Sequence, residues 1–279
     1  MDFKGLREIN IKELIVAIGI ANKNSNLPSQ IVGSGFLIND KGFVLTAKHV
    51  IRECINLIKN NSSQEVAAFY ITITGLKIKV NKLICKNYAS LESDPESDYY
   101  IDEDVDIALM IPLIEQDTKY FEIKTDPLKV YDDVCICGYP GGNASLNISN
   151  HKYNFRFSPM VQFGRISTLI PFDTKTPVKA IQTDIISTGG FSGSPIIDPL
   201  DGKVIGIATN VIGANISGYF LFNEKYHLFG GLAIIGPVFG PSSHYFYDMT
   251  VQSKLIAEGK DVRSKILLTH VGKLNTNLK

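Results

Sequence analysis

The sequence predicts an all-β protein whose antiparallel strands form sandwiches or barrels. Short runs of apolar and β-branched residues recur along the whole chain, and clusters of Gly, Asn, Asp and Pro separate them. Few stretches repeat apolar residues with the 3.6-residue period of a helix. The composition is 44% hydrophobic and 20% charged, which is typical of a globular protein and excludes wholesale disorder, collagen and coiled coil.

The first half of the chain carries six predicted strands. Residues 14–21 form a continuous apolar run, typical of a buried strand. The turn sequence Asn39-Asp40-Lys41-Gly42 joins the next two strands in a hairpin. β-Branched residues are frequent in the two strands that flank Gly75, and the sixth strand is an apolar run that follows an aspartate. The six predicted strands are 14–21, 31–38, 43–46, 65–74, 77–83 and 106–111.

The second half continues the series. An apolar run precedes a loop rich in Gly and Asn, and the strands after it alternate with turn residues. Asp201-Gly202 is a second hairpin signal. The predicted strands are 130–137, 161–169, 178–183, 196–198, 204–209 and 230–235.

The polar stretch 112–128 is poor in strand signals, so we expect it to link two domains. After residue 242 the pattern changes, and a helix is predicted over 248–258. Val251 and Leu255 share one face of that helix, Ile256 lies beside them, and Gly259 ends it. The predicted domains are 10–118, 119–241 and a helical extension, 242–279.

Charge and cysteine content narrow the partners that we expect. Lys+Arg and Asp+Glu both number 28, so the formal net charge is zero and gives no reason to expect nucleic acid or an anionic membrane. No apolar run reaches the roughly 20 residues that span a bilayer. The start has no secretory pattern, and four cysteines are few, so we expect free thiols and a cytoplasmic protein. Cys135 and Cys137 share one strand face, either as core residues or as part of a metal site, but further ligands are not visible. We therefore expect no metal and no cofactor.

The segment with most chemical content is Gly190-Phe191-Ser192-Gly193-Ser194-Pro195. Glycines two before and one after Ser192 leave its hydroxyl free of neighbouring side chains. The N–H groups of Gly190 and Ser192 are then the natural pair to bind a carbonyl oxygen that gains negative charge. The same residues are also typical of an ordinary Gly/Ser turn between strands.

Two further segments supply the groups that a serine nucleophile needs. His49 follows the strand at 43–46, and a histidine can accept a serine proton at neutral pH. Asp106 opens an apolar strand, where its carboxylate can orient an imidazole. Asp104 competes for that role, but Asp106 directly precedes Ile-Ala-Leu-Met and is preferred. A surface histidine and a strand-initiating aspartate are the ordinary alternatives.

Together these segments resemble a chymotrypsin-like (trypsin-like) serine peptidase, closest to the bacterial HtrA-type protease domain. Gly33-Ser34-Gly35-Phe36 with the His49 segment resembles the G-S-G-x…T-x-x-H-V block of that family, and Asp106-Ile107-Ala108-Leu109 resembles its D-[IV]-A-[LV]. The Ser192 segment, preceded by Thr183-Asp184, resembles T-D…G-x-S-G-G-P. The likeness runs from about residue 32 to 235.

The resemblance implies two six-stranded antiparallel β-barrels with the active site between them. It implies His49 as general base and acid, Asp106 as its orienting carboxylate, and Ser192 as the nucleophile. The N–H groups of Gly190 and Ser192 would form the oxyanion hole. No cofactor is implied, and the partner is a protein or peptide substrate.

The resemblance also implies a substrate pocket, and the chain departs from the family in places. Ile186 lies by resemblance at the pocket base, which favours a small or apolar side chain before the cleaved bond, and the walls come from Thr209, Asn210 and Val211. Ser194 stands where the family most often has Gly. Phe191 replaces the Asp that, in secreted members, pairs with a newly cut N-terminus, so that activation route is not expected.

About 35 to 40 residues follow the second predicted barrel, too few for the PDZ domain of HtrA-type proteins. This extension could instead dock on the barrels, another subunit or a regulatory partner. The acidic run 92–106 fits a solvated loop better than a calcium site, because its spacing matches no cation motif. Three functions stay open: a serine endopeptidase, a catalytically silent or gated binding module with the same fold, and an esterase with the same triad.

Overall fold

The computed structural model describes residues 5, 10–74, 77–91, 106–140, 146–149, 152–155, 159–170, 178, 180–187, 189–211, 214–222, 225–233, 236–243, 247, 250–258, 260 and 266–270. Most of these residues lie in antiparallel strands, and helices are few and short. The strands form two closed barrels, which confirms the predicted two-barrel fold. The longest helix among these residues has 11 residues, well short of the roughly 20 that a membrane-spanning helix needs.

The first barrel closes through six strands. In chain order its elements are α1 (Ile11–Leu14), β1 (Ile15–Asn22), β2 (Gln30–Leu37), β3 (Val44–Thr46), α2 (Lys48–Ile58), β4 (Gln64–Thr74), β5 (Lys77–Leu91) and β6 (Ala108–Pro112). The strands are ordered β5-β4-β1-β2-β3-β6, and pairing of β5 with β6 completes the ring. The predicted hairpin between β2 and β3 is confirmed, and Gly42 in its turn has φ +83°. That left-handed conformation is one that glycine adopts without strain.

Alternate residues of the first barrel pack in two different places. Val16 and Ile18 of β1 belong to an apolar cluster with Val50 and Ile51 of α2. Ile15, on the opposite face of β1, joins a cluster that includes residues of the second barrel. Because side chains alternate across a strand, β1 is buried on both faces, as its continuous apolar run predicted.

Glu13 in α1 is a buried carboxylate with three hydrogen-bond donors. Its Oε1 accepts from the Ile73 N–H at 2.8 Å, and its Oε2 accepts from Lys119 Nζ at 2.7 Å and Asn10 Nδ2 at 3.1 Å. Burial raises the pKa of Glu13, but these donors and the Lys119 charge together outweigh burial and lower it. The ionised form therefore stabilises the fold.

The second barrel is also built on six strands. Its elements are β7 (Asp133–Gly138), β8 (Leu146–Ser149), β9 (Lys152–Phe155), β10 (Met160–Ile170), β11 (Ala180–Ser187), β12 (Pro195–Ile197), β13 (Val204–Ile207), β14 (Asn210–Val211), β15 (Ala214–Phe222), β16 (Lys225–Ala233) and β17 (Gly236–Pro241). The order is β13-β12-β7-β10-β11-β17, and a bridge from Gly206 to Ser242 closes it. The short β14 pairs with the outer edge of β17. The hairpins β8–β9 and β15–β16 form separate two-stranded sheets.

The C-terminal extension returns to the first barrel. It contains α3 (Ser253–Ala257) and β18 (Ile266–His270), so it includes a strand as well as the predicted helix. Ile256 is buried, whereas Val251 and Leu255 are exposed, so the buried side of the helix is not the Val251–Leu255 face. β18 pairs antiparallel with the end of β5, over residues 87–91. It thereby adds a seventh strand beside the barrel.

Candidate active site

His49 lies in the first turn of α2. The sequence analysis did not predict this helix. Ala47 is the N-cap residue of this helix, and it has no side chain that can cap the free N–H groups of the first turn. The His49 N–H instead donates to Asp106 Oδ1 at 2.8 Å. A carboxylate from a distant loop therefore caps this helix, and the positive end of the helix dipole favours its negative charge.

The same carboxylate also holds the imidazole of His49. Asp106 Oδ2 lies 2.5 Å from Nδ1 of the ring. The two oxygens of Asp106 therefore fix both the main chain and the side chain of His49, and an ionised partner at Nδ1 keeps the ring proton there. The side chains of His49 and Asp106 are 44% and 23% exposed, so the ring is accessible from solvent while the carboxylate is shielded behind it. The structure thus brings together two of the three predicted triad residues in direct contact.

Ser192 lies on a tight loop that main-chain hydrogen bonds hold in shape. Gly190 and Gly193 both have positive φ, +96° and +86°. The Gly193 N–H donates to the Ala208 carbonyl at 2.7 Å, and the Ser194 N–H donates to the Phe191 carbonyl at 2.9 Å. Both glycines are therefore required by backbone conformation, and this segment is more than the flexible Gly/Ser turn that its composition also allowed.

The Ser192 loop docks directly on the first barrel, next to the helix that carries His49. The Ser34 N–H of β2 donates to the Ser192 carbonyl at 2.8 Å. A Cβ on Gly33 would lie 2.9 Å from that carbonyl oxygen and 2.6 Å from Val50 Cγ2. Ser192 and Val50, the residue after His49, therefore both lie next to Gly33. Position 33 must be glycine because a side chain there would clash with one or the other.

The apolar residue before the serine anchors the loop in the second barrel. Phe191 is 2% exposed and packs in a cluster that includes Leu128, Val134 and Ile136. Burial of a phenylalanine supplies about 1.5–3 kcal/mol. Phe191 thus fixes the loop by burial.

Ser194 fits where the resemblance implies a glycine because its neighbour is small. A Cβ on Gly138 would collide with Ser194 Oγ, so the strand residue opposite leaves room for this hydroxyl. Ser194 is fully buried, and its Oγ has no hydrogen-bond partner among the described residues.

Within the described part of the chain, Asp106 is the hydrogen-bond partner of the His49 ring, and no hydrogen bond joins the ring to the Ser192 hydroxyl. Hydrogen bonds of this kind are often long without substrate and tighten when it binds. Ser192 and His49 are both half-buried, at the seam between the barrels.

The residues predicted to form the substrate pocket lie on β11 and around β14. Ile186 pairs with Pro237 of β17 and is 60% exposed, so this position is open to solvent. Thr209 is buried, and the backbones of Asn210 and Val211 pair with Phe239 and Val238. Their role in binding substrate stays a prediction.

Some sequence predictions fall outside the described residues, namely Asp104 and the acidic segment 92–105. Cys135 and Cys137 are buried free thiols in the apolar cluster between the barrels, which confirms them as core residues. Among the residues that the structure describes, no three His, Cys, Asp or Glu side chains group as metal ligands do.

Sequence reasoning missed the part that Ser34 plays. In the sequence, Ser34 is only the middle residue of the Gly33-Ser34-Gly35 motif, yet its side chain and main chain contact the Ser192 loop. A serine between two glycines on an apolar strand was the available signal, because a buried hydroxyl needs a partner.

Comparison with known proteins identifies the family of this chain and several solved structures that are similar to it. The model of the trypsin-like peptidase domain family matches residues 33–207. The structure is similar to human heparin binding protein, with 12% identity, a TM-score of 0.51, and coverage of 90% of this chain and 95% of that one. It is also similar to Deg5, with 19% identity, a TM-score of 0.47, and coverage of 75% and 87%. For mouse neuropsin, a serine protease, the identity is 13%, the TM-score 0.48, and the coverage 88% and 95%. With its family match spanning more than half of its residues, this chain belongs to the trypsin-like peptidase domain family.

Proposed function

We propose that this protein is a serine endopeptidase that hydrolyses peptide bonds through an acyl-enzyme on Ser192. The observation that carries the proposal is the double hold of Asp106 on His49, at 2.5 Å to the ring and 2.8 Å to the main chain. A carboxylate used only as a helix cap needs one of these bonds. Holding Nδ1 as well leaves Nε2 free to accept a proton, and the Ser192 loop docks beside the same helix.

The reaction proceeds in two acyl transfers. Ser192 Oγ attacks the carbonyl carbon of the cleaved peptide bond while its proton moves to His49 Nε2. The carbonyl oxygen takes the negative charge and is stabilised by the N–H groups of Gly190 and Ser192. The C–N bond then breaks, and the leaving amine takes the proton from His49. Water repeats the sequence on the acyl-enzyme, with His49 again acting first as base and then as acid, and releases the acid product.

Asp106 contributes orientation and charge in each step. It keeps the proton on Nδ1 in the resting ring and stabilises the imidazolium that forms during the reaction, without taking a proton itself. The apolar side chain of Ile186 at the proposed pocket base favours small or apolar side chains before the cleaved bond over Lys or Arg. Thr209, Asn210 and Val211 are the proposed walls of this pocket.

The test is covalent labelling combined with peptide cleavage. We expect a fluorophosphonate probe to label the full-length wild type once per chain and not to label Ser192→Ala. Ser194→Ala is the matched control, because it removes a serine hydroxyl two residues away that makes no hydrogen bond within the described residues. It should label like the wild type. Equal labelling of the wild type and Ser192→Ala would overturn the proposal.

A second candidate is a gated or silent module with the same fold. The observation that favours it is that, among the described residues, no hydrogen bond links the His49 ring to the Ser192 hydroxyl. Fold alone does not decide between the two, since one protein with a similar structure is named for binding heparin. Equal labelling of the wild type and Ser192→Ala, or no labelling of the wild type under any condition, would favour this candidate. Cleavage of esters but not of peptide amides would favour the esterase.

A further inference from the structure

Ser34 occupies an unusual place in β2. It is fully buried, and all its hydrogen-bonding groups are used. Its hydroxyl donates to the Gly190 carbonyl at 2.7 Å and accepts from the Tyr139 N–H at 2.8 Å. Its main-chain N–H donates to the Ser192 carbonyl at 2.8 Å, and its carbonyl accepts from Thr46 Oγ1 at 2.7 Å. One residue of the first barrel therefore joins the Ser192 loop, the exit of β7 and the strand β3.

Two of these bonds hold alternate carbonyls of the loop. The N–H groups proposed to bind the oxyanion belong to Gly190 and Ser192, the same two residues whose carbonyls Ser34 holds. Peptide units are planar, so these bonds fix the orientation of the Gly190–Phe191 and Ser192–Gly193 units, which lie on either side of the unit that carries the Ser192 N–H. Gly190 lacks a Cβ and has φ +96°, so its own backbone does little to prevent a rotation of the units on either side. Such a rotation would move the Gly190 carbonyl away from Ser34 Oγ.

The surroundings explain why the residue is a serine. Glycine or alanine would leave the Gly190 carbonyl and the Tyr139 N–H without the bridge between them. A larger side chain has little room, because a Cβ on Gly138 would already lie 2.8 Å from Ser34 Oγ. Serine is the small side chain that donates to one group and accepts from the other through a single oxygen.

We propose that Ser34 is a positioning residue: it holds the carbonyls of Gly190 and Ser192 and so keeps in place the loop segment whose N–H groups would bind the oxyanion. The inference rests on the proposed peptidase function. Ser34 acts through Gly190 and does not contact the substrate. Loss of its hydroxyl keeps the main-chain bond to the Ser192 carbonyl but frees the Gly190–Phe191 unit. Gly190 and its N–H are then held less firmly, which weakens stabilisation of the transition state more than binding of the substrate.

The test measures kcat and KM for hydrolysis of a chromogenic peptide ester by the full-length wild type, Ser34→Ala and Ser243→Ala. Ser243 is the matched control, because it is also fully buried and its hydroxyl donates to a main-chain carbonyl, that of Lys124. In Ser34→Ala we expect kcat to fall about ten- to hundredfold, below the 10²–10³-fold effect of losing an oxyanion donor outright. KM should change less than about threefold, and Ser243→Ala should keep the wild-type kcat.

A peptide aldehyde separates positioning from a purely structural role. It forms a tetrahedral adduct with the nucleophile whose oxygen needs the same amides, so its inhibition constant should rise in proportion to the fall in kcat. A Ser34→Ala enzyme that loses thermal stability but keeps kcat within twofold overturns the inference. If Ser34→Ala does not fold, Ser34→Cys, which keeps a side chain of similar shape with a weaker donor, is judged by the same criteria. An inert wild type overturns the proposed function and this inference together, whereas an active wild type with an unchanged Ser34 variant overturns this inference alone.

Discussion

Replacing Asp106 by asparagine should move the ring proton of His49 from Nδ1 to Nε2 without disturbing the fold. In the wild type, Oδ1 accepts from the His49 N–H at 2.8 Å, and Oδ2 lies 2.5 Å from Nδ1. An asparagine has one carbonyl oxygen and one NH₂ group. Because the main-chain N–H requires an acceptor, the carbonyl oxygen of asparagine takes the Oδ1 position and its NH₂ faces Nδ1. The ring must then accept at Nδ1 and carry its proton on Nε2, where it cannot receive the proton of Ser192.

The size of the effect follows from the same two contacts. The opposite amide orientation would set two donors against each other at the helix start and lose a hydrogen bond, at a cost of about 1–3 kcal/mol. The unproductive tautomer is therefore the main form. In Ser-His-Asp peptidases a wrong imidazole tautomer lowers kcat by about 10⁴, which corresponds to roughly 5.4 kcal/mol of transition-state stabilisation. We expect a loss of that order in Asp106→Asn.

The assay measures kcat/KM on a peptide ester together with ¹⁵N NMR of the histidine rings. Asp184→Asn is the matched control, because Asp184 also accepts from a main-chain amide, that of Arg165 at 2.6 Å, away from His49. The control should keep wild-type activity, and both variants should unfold within a few degrees of the wild type. If Asp106→Asn keeps activity within tenfold, or if its neutral His49 ring still carries the proton on Nδ1, then Asp106 does not orient the base.

Three further outcomes concern stability and reactivity. The pKa of Glu13 is lowered from 4.5 in the fold, so its contribution to stability is present above about pH 4.5 and is lost as the pH falls through the folded pKa. In urea unfolding, Glu13→Gln should therefore lower the free energy of unfolding by about 1–3 kcal/mol at pH 7 and by less at pH 3. Burial raises the pKa of Cys135 to about 12, and the other three thiols are buried too, so Ellman's reagent at pH 8 should label none of the four in the native protein and all four in guanidinium. Removing residues 261–279 should accelerate hydrogen exchange at residues 87–91 at least about tenfold, since β18 pairs there; unchanged exchange would contradict the pairing.

Local sequence signals predicted the parts of the fold that local chemistry decides. The turns at Gly42 and Gly202 have φ +83° and +74°, and both join antiparallel strands as their Asn and Asp neighbours indicated. The Gly residues around Ser192 likewise mark a backbone that needs positive φ. In each case the residue type and the dihedral angle are linked within a few positions of the chain, so the sequence carries the information directly.

The helix α2 was missed because its start signal lies elsewhere in the chain. Val50, Ile51 and Cys54 are buried with helical spacing, which was visible in the sequence. The usual N-cap serine, threonine, asparagine or aspartate is absent, since Ala47 holds that position. Asp106 supplies the missing acceptor from 57 residues away. A cap provided by a distant segment leaves no local pattern, and it is also what places the carboxylate on the imidazole.

The full length of β5 and the strand β18 were missed for a similar reason. The second half of β5 contains Lys86 and Asn87, which interrupt the apolar pattern, so the predicted strand ended at residue 83. This half is paired on one side by β6 and on the other by β18, from the opposite end of the chain. Its conformation is fixed by partners far away in sequence, where propensity is a weak guide.

The Ser192 loop is the place where the two barrels depend on each other. Phe191 fixes the loop in the apolar cluster of the second barrel, whereas Ser34 and Gly33 of the first barrel hold its carbonyls and leave it room. Neither barrel alone supplies all the contacts that hold this loop. The hydrogen bonds from Ser34 to the Gly190 and Ser192 carbonyls are lost as soon as the barrels separate. Catalytic geometry should therefore be the first property to fail when the interface loosens, ahead of the strands themselves.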